Sequence, residues 1–455
     1  MRRCVKAMTI MLLALLAACK GDDDVPAAMQ DVAVPPVVVS RELTAIDSLM
    51  WQQPDSAWAM LMSWFGDRDG TAWLDTVNET TDIHYASLLL AESLYKQGYA
   101  QTNREDLLCA VAFFDSLTIA QNASLAFLAA RAHYINGVGY YESDSVALAC
   151  EEYIKALETM EANFSESELV GSKARFMALA YTRLTELFSG YYFHEQAIGL
   201  GQLALYYYEK HDAEAWHKAW ILNEIGTHLV ILEEFDSARN CLKKADSLIS
   251  DSQSVLHRDI ATHRAYLEYV GGKAVNDYLA TLHELLVQSE SEGERMARYL
   301  AIGATYYKEK QYDSAKVYLD GVFREANSVG AKKQAAEWMV EICQSQGDDT
   351  AIMEYVAFLA PFATQGENQG VLRSRLAGLY DGFRQREMQR KQDLGGKIDV
   401  ILHRYTGNYK FASYGSITGY AATPDAYRIL PCSTMDGMNR GYVWKADKKS
   451  QTFRR

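Results

Sequence analysis

Residues 233–245 read EEFDSARNCLKKA and residues 309–322 read EKQYDSAKVYLDGV. In both stretches Asp-Ser-Ala opens a helix, and Leu242 or Leu319 follows four positions after the Ala. In both, a glycine lies twelve positions before that Ala, at Gly226 and Gly303. A small residue on each of two consecutive helices lets them cross closely, while the large residues fill the gaps between them. The same unit recurs with His133, Gly137, Tyr140, Ala149, Tyr153 and Ala156. A degenerate fourth copy has Tyr181, Leu184, Thr185, Phe188, Ala197, Gly201 and Ala204, with Thr185 in place of the glycine and Gly201 in place of a large residue. Repetition at this scale predicts stacked helical hairpins, each burying its apolar face on its neighbours.

The bulk sequence agrees with near-continuous helix. The chain has 455 residues, 49% hydrophobic and 23% charged, an ordinary folded balance. None of the seven prolines falls between residues 55 and 360, and proline costs about 3 kcal/mol inside a helix. The expected hairpins span 40–65, 83–118, 123–160, 168–209, 213–249, 255–289, 291–326 and 332–363, with a last helix over 367–393. Asp55, Asp236 and Asp313 are expected just before a helix, satisfying free backbone N–H groups. The last helix puts Leu372, Leu376, Leu379 and Phe383 on one stripe, and is expected to cap the stack.

The spacing of small residues and large fillers resembles the tetratricopeptide (TPR) repeat. The glycine-equivalent positions 137, 185, 226 and 303 lie 48, 41 and 77 apart, wider than the usual TPR period of about 34. The resemblance implies an all-α fold, a right-handed α-α superhelix of about eight hairpins over residues 40–393. It implies a partner-binding inner face made by the first helix of each hairpin. Carried over onto this sequence, the groove positions are Arg131, Tyr134, Val138 and Tyr141, then Thr182 and Glu186, then Trp220, Asn223 and Thr227, then Leu300, Ala304, Tyr307 and Lys308. Aromatic rings with scattered polar groups suit an extended peptide, and truncating Trp220 is expected to cost about 2 kcal/mol of binding. The other reading of Tyr134, Trp220 and Tyr307 is packing within the repeats.

The first nineteen residues read MRRCVKAMTIMLLALLAAC. A basic start precedes an apolar run from Met8 to Ala18, too short for a mature membrane span of about 20 residues. The end, Leu16-Ala17-Ala18-Cys19, resembles a bacterial lipobox, which implies a signal peptide over 1–18 and acylation, including a palmitate-type chain, at Cys19. Lys20-Gly21-Asp22-Asp23-Asp24 resembles the export signal of Bacteroidetes surface lipoproteins, implying an outer-membrane protein facing the surface or, alternatively, the periplasm. Residues 19–39 hold three prolines and read as an extended tether. The Asp-Ser-Ala triplets also resemble the O-glycosylation acceptor of the same bacteria, although helix capping alone explains them.

Net charge is −14. The first eighteen residues are basic, and residues 395–455 carry ten Lys/Arg against four Asp/Glu, so the acid concentrates in the helical body. Such a body repels phosphates and argues against nucleic-acid binding. After Cys4 and Cys19, the remaining Cys109, Cys150, Cys241, Cys343 and Cys432 show no CxxC spacing, which predicts small apolar core residues and no metal site. There is no HExxH, GxSxG, P-loop or dinucleotide fingerprint, so no enzyme and no cofactor is expected. From residue 394 the composition turns to Gly, Tyr and Lys/Arg without helical period, read as an irregular tail. A small β appendage, a disordered basic tail and a changed reading frame are alternatives there. The expected function is a lipid-anchored, non-catalytic scaffold binding a protein or peptide. The alternatives are a glycan-uptake accessory in a SusD-like role, or an envelope sensor.

Overall fold

The computed structural model describes residues 39–393 except 51–52, 67–76, 103, 120–124, 212–214, 252–253 and 365–368, together with four short strands beyond residue 419. The expected leader (1–18), Cys19 and nearly all of the tether (19–39) lie outside the described residues. The chain forms two compact units, residues 1–169 and 170–455.

The fold is an all-α, TPR-like stack of antiparallel hairpins. In the first unit α1 (Arg41–Leu49) pairs with α2 (Pro54–Gly66), α3 (Val77–Lys96) with α4 (Glu105–Ile119), and α5 (Ala126–Glu142) with α6 (Val146–Asn163). In the second unit the pairs are α7 (Ser172–Gly190) with α8 (His194–Lys210), α9 (Ala215–Ile231) with α10 (Phe235–Leu248), α11 (Val255–Val270) with α12 (Val275–Val287), α13 (Glu292–Lys308) with α14 (Tyr312–Glu325), and α15 (Val329–Gln346) with α16 (Asp349–Thr364). A long helix, α17 (Gln369–Asp393), follows.

Among the described residues one turn is repeated seven times. Gly98, Asp144, Tyr192, Glu233, Gly272, Lys310 and Gly347 all have positive φ, and each ends the first helix of its hairpin. At every one the residue's N–H bonds the carbonyl three back, and the next N–H bonds the carbonyl five back, as Glu233 to Val230 and Glu234 to Leu229. This is the Schellman closure, which satisfies carbonyls that the helix end would leave bare.

The seven positions give the true repeat spacing of 46, 48, 41, 39, 38 and 37 residues. The 77-residue gap between Gly226 and Gly303 therefore holds one complete hairpin, α11–α12. There Ala265, seven residues before the Gly272 turn, takes the glycine's place.

The small residue has a measurable job. A Cβ on Gly226 would lie 2.8 Å from the Leu242 side chain, one on Gly303 2.8 Å from Leu319, and one on Gly137 2.7 Å from Tyr153. In each pair the large residue sits sixteen positions on, so the second helix drives a side chain onto the first helix's backbone. In α7–α8 the sizes are exchanged. Thr185 is buried with its hydroxyl on the Tyr181 carbonyl, and Gly201, sixteen on, lies against Ile225 of α9. The degenerate copy is thus a compensated one.

Three expectations need correction. Asp236 and Asp313 lie inside the first turns of α10 and α14, behind Glu234 and Gln311, and Asp55 lies inside α2. They meet the positive end of the helix dipole without capping it. On the first helices the side-chain caps are instead serines, Ser40, Ser254, Ser291 and Ser328, with a full capping box from Ser291 to Glu294. Among the described second helices α16 has such a cap, the Asp348 carboxylate accepting from the Ala351 N–H at 3.1 Å, while α6, α8, α10, α12 and α14 have none.

The last helix does pack on the repeats, but against the opening hairpin of its unit. Phe383 meets Tyr181, Tyr380 meets Phe188, and the Arg373 guanidinium lies over the Phe193 ring.

The tail beyond residue 394 contains an antiparallel sheet in the order β1 (Tyr420–Ala422), β2 (Ala426–Ile429), β3 (Trp444–Asp447), β4 (Phe453–Arg454), with Tyr420 opposite Ile429 and Ile429 opposite Trp444. Strands of two to four residues are too short to reveal a period of two in the sequence. Cys150 and Cys343 are buried, and Cys109 and Cys241 partly so.

Candidate partner-binding face

The first helices of successive hairpins are joined side by side by polar side chains. In the second unit this ladder runs from α9 to α15. Its rungs fall one repeat apart because the Schellman turns keep the first helices in register.

On α9, Asn223 and Thr227 lie one turn apart. The Thr227 hydroxyl donates to the Asn223 carbonyl at 2.9 Å, so its oxygen is left to accept. Nδ1 of His263 on α11 lies 2.8 Å from the Asn223 side-chain oxygen and 3.1 Å from the Thr227 oxygen. Two acceptors assign the hydrogen to Nδ1 and leave Nε2 as an acceptor. Burial, with Arg298 nearby, pushes the His263 pKa down to about 4 despite Asp259, so the ring is neutral at pH 7.

From α11, Asp259 accepts from Arg298 of α13 at 2.8 Å, and Tyr266 accepts from Lys308 at 3.0 Å. Tyr269 donates to Glu309 at 2.7 Å. From α13, the Tyr307 hydroxyl donates to Glu341 of α15, a bond that with burial pushes the phenol up to about 12. Beneath these rungs a bidentate ion pair, Arg258 to Glu294 at 2.8 and 3.1 Å, ties α11 to α13 in the interior.

The ladder changes character between α7 and α9. Glu186 is paired with Arg183 on its own helix at 2.6 Å. Glu224 on α9 lies within electrostatic reach of Glu186 on α7 and Asp259 on α11. Burial first, and these two carboxylates second, push its pKa up to about 7. Among the described residues no hydrogen bond or ion pair reaches the Glu224 carboxyl. Nearby, His194 and His228 share a contact between their Nδ1 atoms at 3.0 Å. Burial lowers both, His228 to about 3, so both rings are neutral, one donating and the other accepting.

In the second unit, Glu186, Asn223, Thr227, Tyr307 and Lys308 all stand on this ladder or beside it. Thr182 bonds its own helix and lies 3.2 Å from the Tyr208 hydroxyl. Trp220 is half-buried on a cluster of Ala219, Leu222, Ala245, Leu256 and Ile260, so its truncation would also cost packing. Leu300 packs against two core clusters.

In the first unit the picture differs. Arg131 is buried, with its guanidinium spanning both oxygens of Asp47 and both of Glu92. Burial opposes ionisation of Asp47, but Arg131 and the Tyr85 hydroxyl outweigh it and hold the carboxyl below its usual range. Four of the five Arg131 donors are thereby used. Tyr134 and Val138 are buried, Tyr134 beside Tyr153, while Tyr141 is exposed.

Sequence reasoning missed Glu224, Asp259, His263, Tyr266, Arg298 and Glu341. Three of them belong to α11, whose hairpin has no glycine to set the register. Its Gly272 turn was the available signal. Among the described residues no three His, Cys, Asp or Glu side chains converge as a metal set, and no helix is long and apolar enough to cross a membrane.

No family model matches the chain, and no curated protein matches it. Several solved structures are similar to it. A Rap protein complexed with competence and sporulation factor shares 15% identity, over 81% of this chain and 98% of that one, with a TM-score of 0.47. NprR in complex with its cognate peptide NprX shares 14%, over 79% and 97%, at 0.48. Aspartyl phosphate phosphatase F from Bacillus subtilis shares 14%, over 82% and 97%, at 0.42.

Proposed function

We propose that this chain is a lipid-anchored, non-catalytic scaffold of the bacterial envelope, of the Bacteroidetes lipoprotein type, which holds a protein or peptide partner along the first-helix face of its repeats. The observation that carries the reading is the polar ladder of the second unit. It offers a donor or acceptor on each of four successive helices, at intervals set by the repeat. An extended segment needs just such a series to exchange its backbone hydrogen bonds. The Asn223 amide nitrogen carries no hydrogen bond among the described residues, and the Glu224 carboxyl is likewise unpaired. Half-buried tyrosines beside them supply contact area at low entropic cost.

A photo-crosslinking residue placed at Lys308, on this face, is expected to trap one discrete partner in cells. The same residue at Val317, 70% exposed on the second helix α14, is expected to trap none. Equal adducts at both positions would overturn the reading.

The anchor rests on the lipobox-like end at Cys19 and the acidic run behind it. Acylated Cys19 would hold the repeats at the outer membrane, with surface display favoured by Lys20-Gly21-Asp22-Asp23-Asp24. Cys19→Ala is expected to abolish labelling by radioactive palmitate and move the protein out of the membrane fraction. A variant that stays membrane-bound refutes the anchor while leaving the binding face untouched.

A further inference from the structure

We propose that the face of the α7–α8 hairpin lined by Tyr181, Phe188 and Phe193 is a receptor for a basic amphipathic helix, and that α17 is its resident, reversibly docked occupant. The inference does not rest on what binds the polar ladder.

The occupant's chemistry is read from the helix in place. Arg373 lies 5.1 Å over the Phe193 ring, Tyr380 lies 5.3 Å from Phe188, and Phe383 lies 6.5 Å from Tyr181. As numbers rise along α17 they fall along α7 and the turn that follows it, so the two helices run antiparallel, as neighbours in a repeat stack do. Leu372, Leu376, Ala377, Tyr380 and Phe383 are buried, while Val371, Ser374, Arg375, Gly378, Gln385, Arg386 and Gln389 form an exposed stripe. The recognised pattern is an arginine, an aromatic seven residues on, and a second aromatic three residues after that.

Reversibility follows from two glycines. A Cβ on Gly378 would meet nothing within 4 Å, and one on Gly382 would meet only the flexible end of Arg386 on the same helix. Packing requires neither glycine, yet each weakens the helix by about 1 kcal/mol relative to alanine. Once undocked, α17 loses the burial that sustains it, so helix formation and docking are coupled. Its departure would uncover three aromatic side chains for a competing helix of the same pattern.

The test uses the full chain. Gly378→Ala with Gly382→Ala is expected to slow amide hydrogen exchange across residues 372–387 by about 30-fold, the combined propensity gain. Tyr380→Ala with Phe383→Ala is expected to speed those amides at least about tenfold, leaving α9–α14 unchanged. That second variant should also bind a labelled peptide of residues 369–393, which the wild-type chain excludes. Wild-type α17 amides that exchange as slowly as those of α9, unmoved by the Gly→Ala pair, overturn reversible docking. An opened variant that does not take up the peptide overturns the receptor. Should the Tyr380/Phe383 variant fail to fold, the glycine pair still decides whether docking is reversible.

Discussion

His133 is buried at the centre of a charged network in the first unit. Its Nδ1 lies 2.8 Å from Glu152 and its Nε2 2.8 Å from Asp115, while Asn136 and Lys155 also bond Glu152. Burial disfavours the imidazolium, but the two carboxylates win and raise its pKa to about 9. Burial likewise disfavours the Glu152 anion, and His133 and Lys155 win there, lowering it to about 2. The histidine's contribution is full below its free value of about 6.5 and is lost as pH rises towards 9. The glutamate's is present above about 4.5 and is lost as pH falls towards 2. The network is therefore strongest between those free values. His133→Gln is expected to cost about 3 kcal/mol at pH 6, because it strips the buried Glu152 carboxylate of its cationic partner. The deficit should shrink at pH 9.5; a pH-independent deficit in denaturant titrations would contradict this account.

Glu224 gives the opposite sign. Its raised pKa means that the folded state retains a proton which the unfolded state releases, so stability falls as pH rises from about 4.5 to 7. Glu224→Gln should raise the melting temperature at pH 8 and change it little at pH 4; equal shifts at both would place its cost elsewhere. None of this was legible in the sequence. Asp115, His133 and Glu152 lie on three different helices, and Glu224 meets Glu186 and Asp259 only because the repeats bring positions 38 and 35 residues away into line.

At the scale of the helix and its turn, the hairpins were legible because their packing rule is local. Gly226 and Leu242 sit sixteen residues apart, as do Gly303 and Leu319, and two helices joined by a tight turn leave little choice about where they cross. The turn itself was not legible. Four of the seven left-handed positions carry Asp144, Tyr192, Glu233 and Lys310, at φ of 58 to 62°, where glycine would be the expected signal. Tertiary stacking imposes the conformation and the side chain bears the strain. Tyr192 is the clearest case, since its ring is 59% exposed and recovers little burial. Tyr192→Gly is expected to stabilise the chain by about 0.5–1 kcal/mol, the usual relief at a left-handed cap. A loss of stability would mean that the Tyr192 ring, packed edge-on to His194 at 6.3 Å, contributes more than the backbone strain costs. α17 was misplaced for a related reason. Its stripe of Leu372, Leu376 and Phe383 announces a buried face, but an amphipathic pattern does not say which hairpin supplies the other half.

At the scale of the whole molecule, the sequence carried the repeat and its count of eight hairpins, but not the register of every one. Spacing by glycine left one hairpin without an anchor, because Ala265 does the glycine's work in α11 and alanine is too common in helices to stand out. The architecture nevertheless has a consequence that can be measured. A repeat stack couples each unit mainly to its neighbours, so damage should stay near its origin. Gly303 provides the lesion. An added Cβ would lie 2.8 Å from both Cγ and Cδ2 of Leu319, itself fully buried. Overpacking of this kind costs about 1–3 kcal/mol, and alanine's better helix propensity returns about 1 kcal/mol. Gly303→Ala should therefore destabilise the α13–α14 hairpin by up to about 2 kcal/mol. Amide exchange should accelerate in α12–α15, which adjoin the lesion, and stay unchanged in α7 and α8. The first unit, residues 1–169, should be equally indifferent. Uniform acceleration through α7–α16 would show instead that the second unit opens as one cooperative body, and the nearest-neighbour account of its stability would fail.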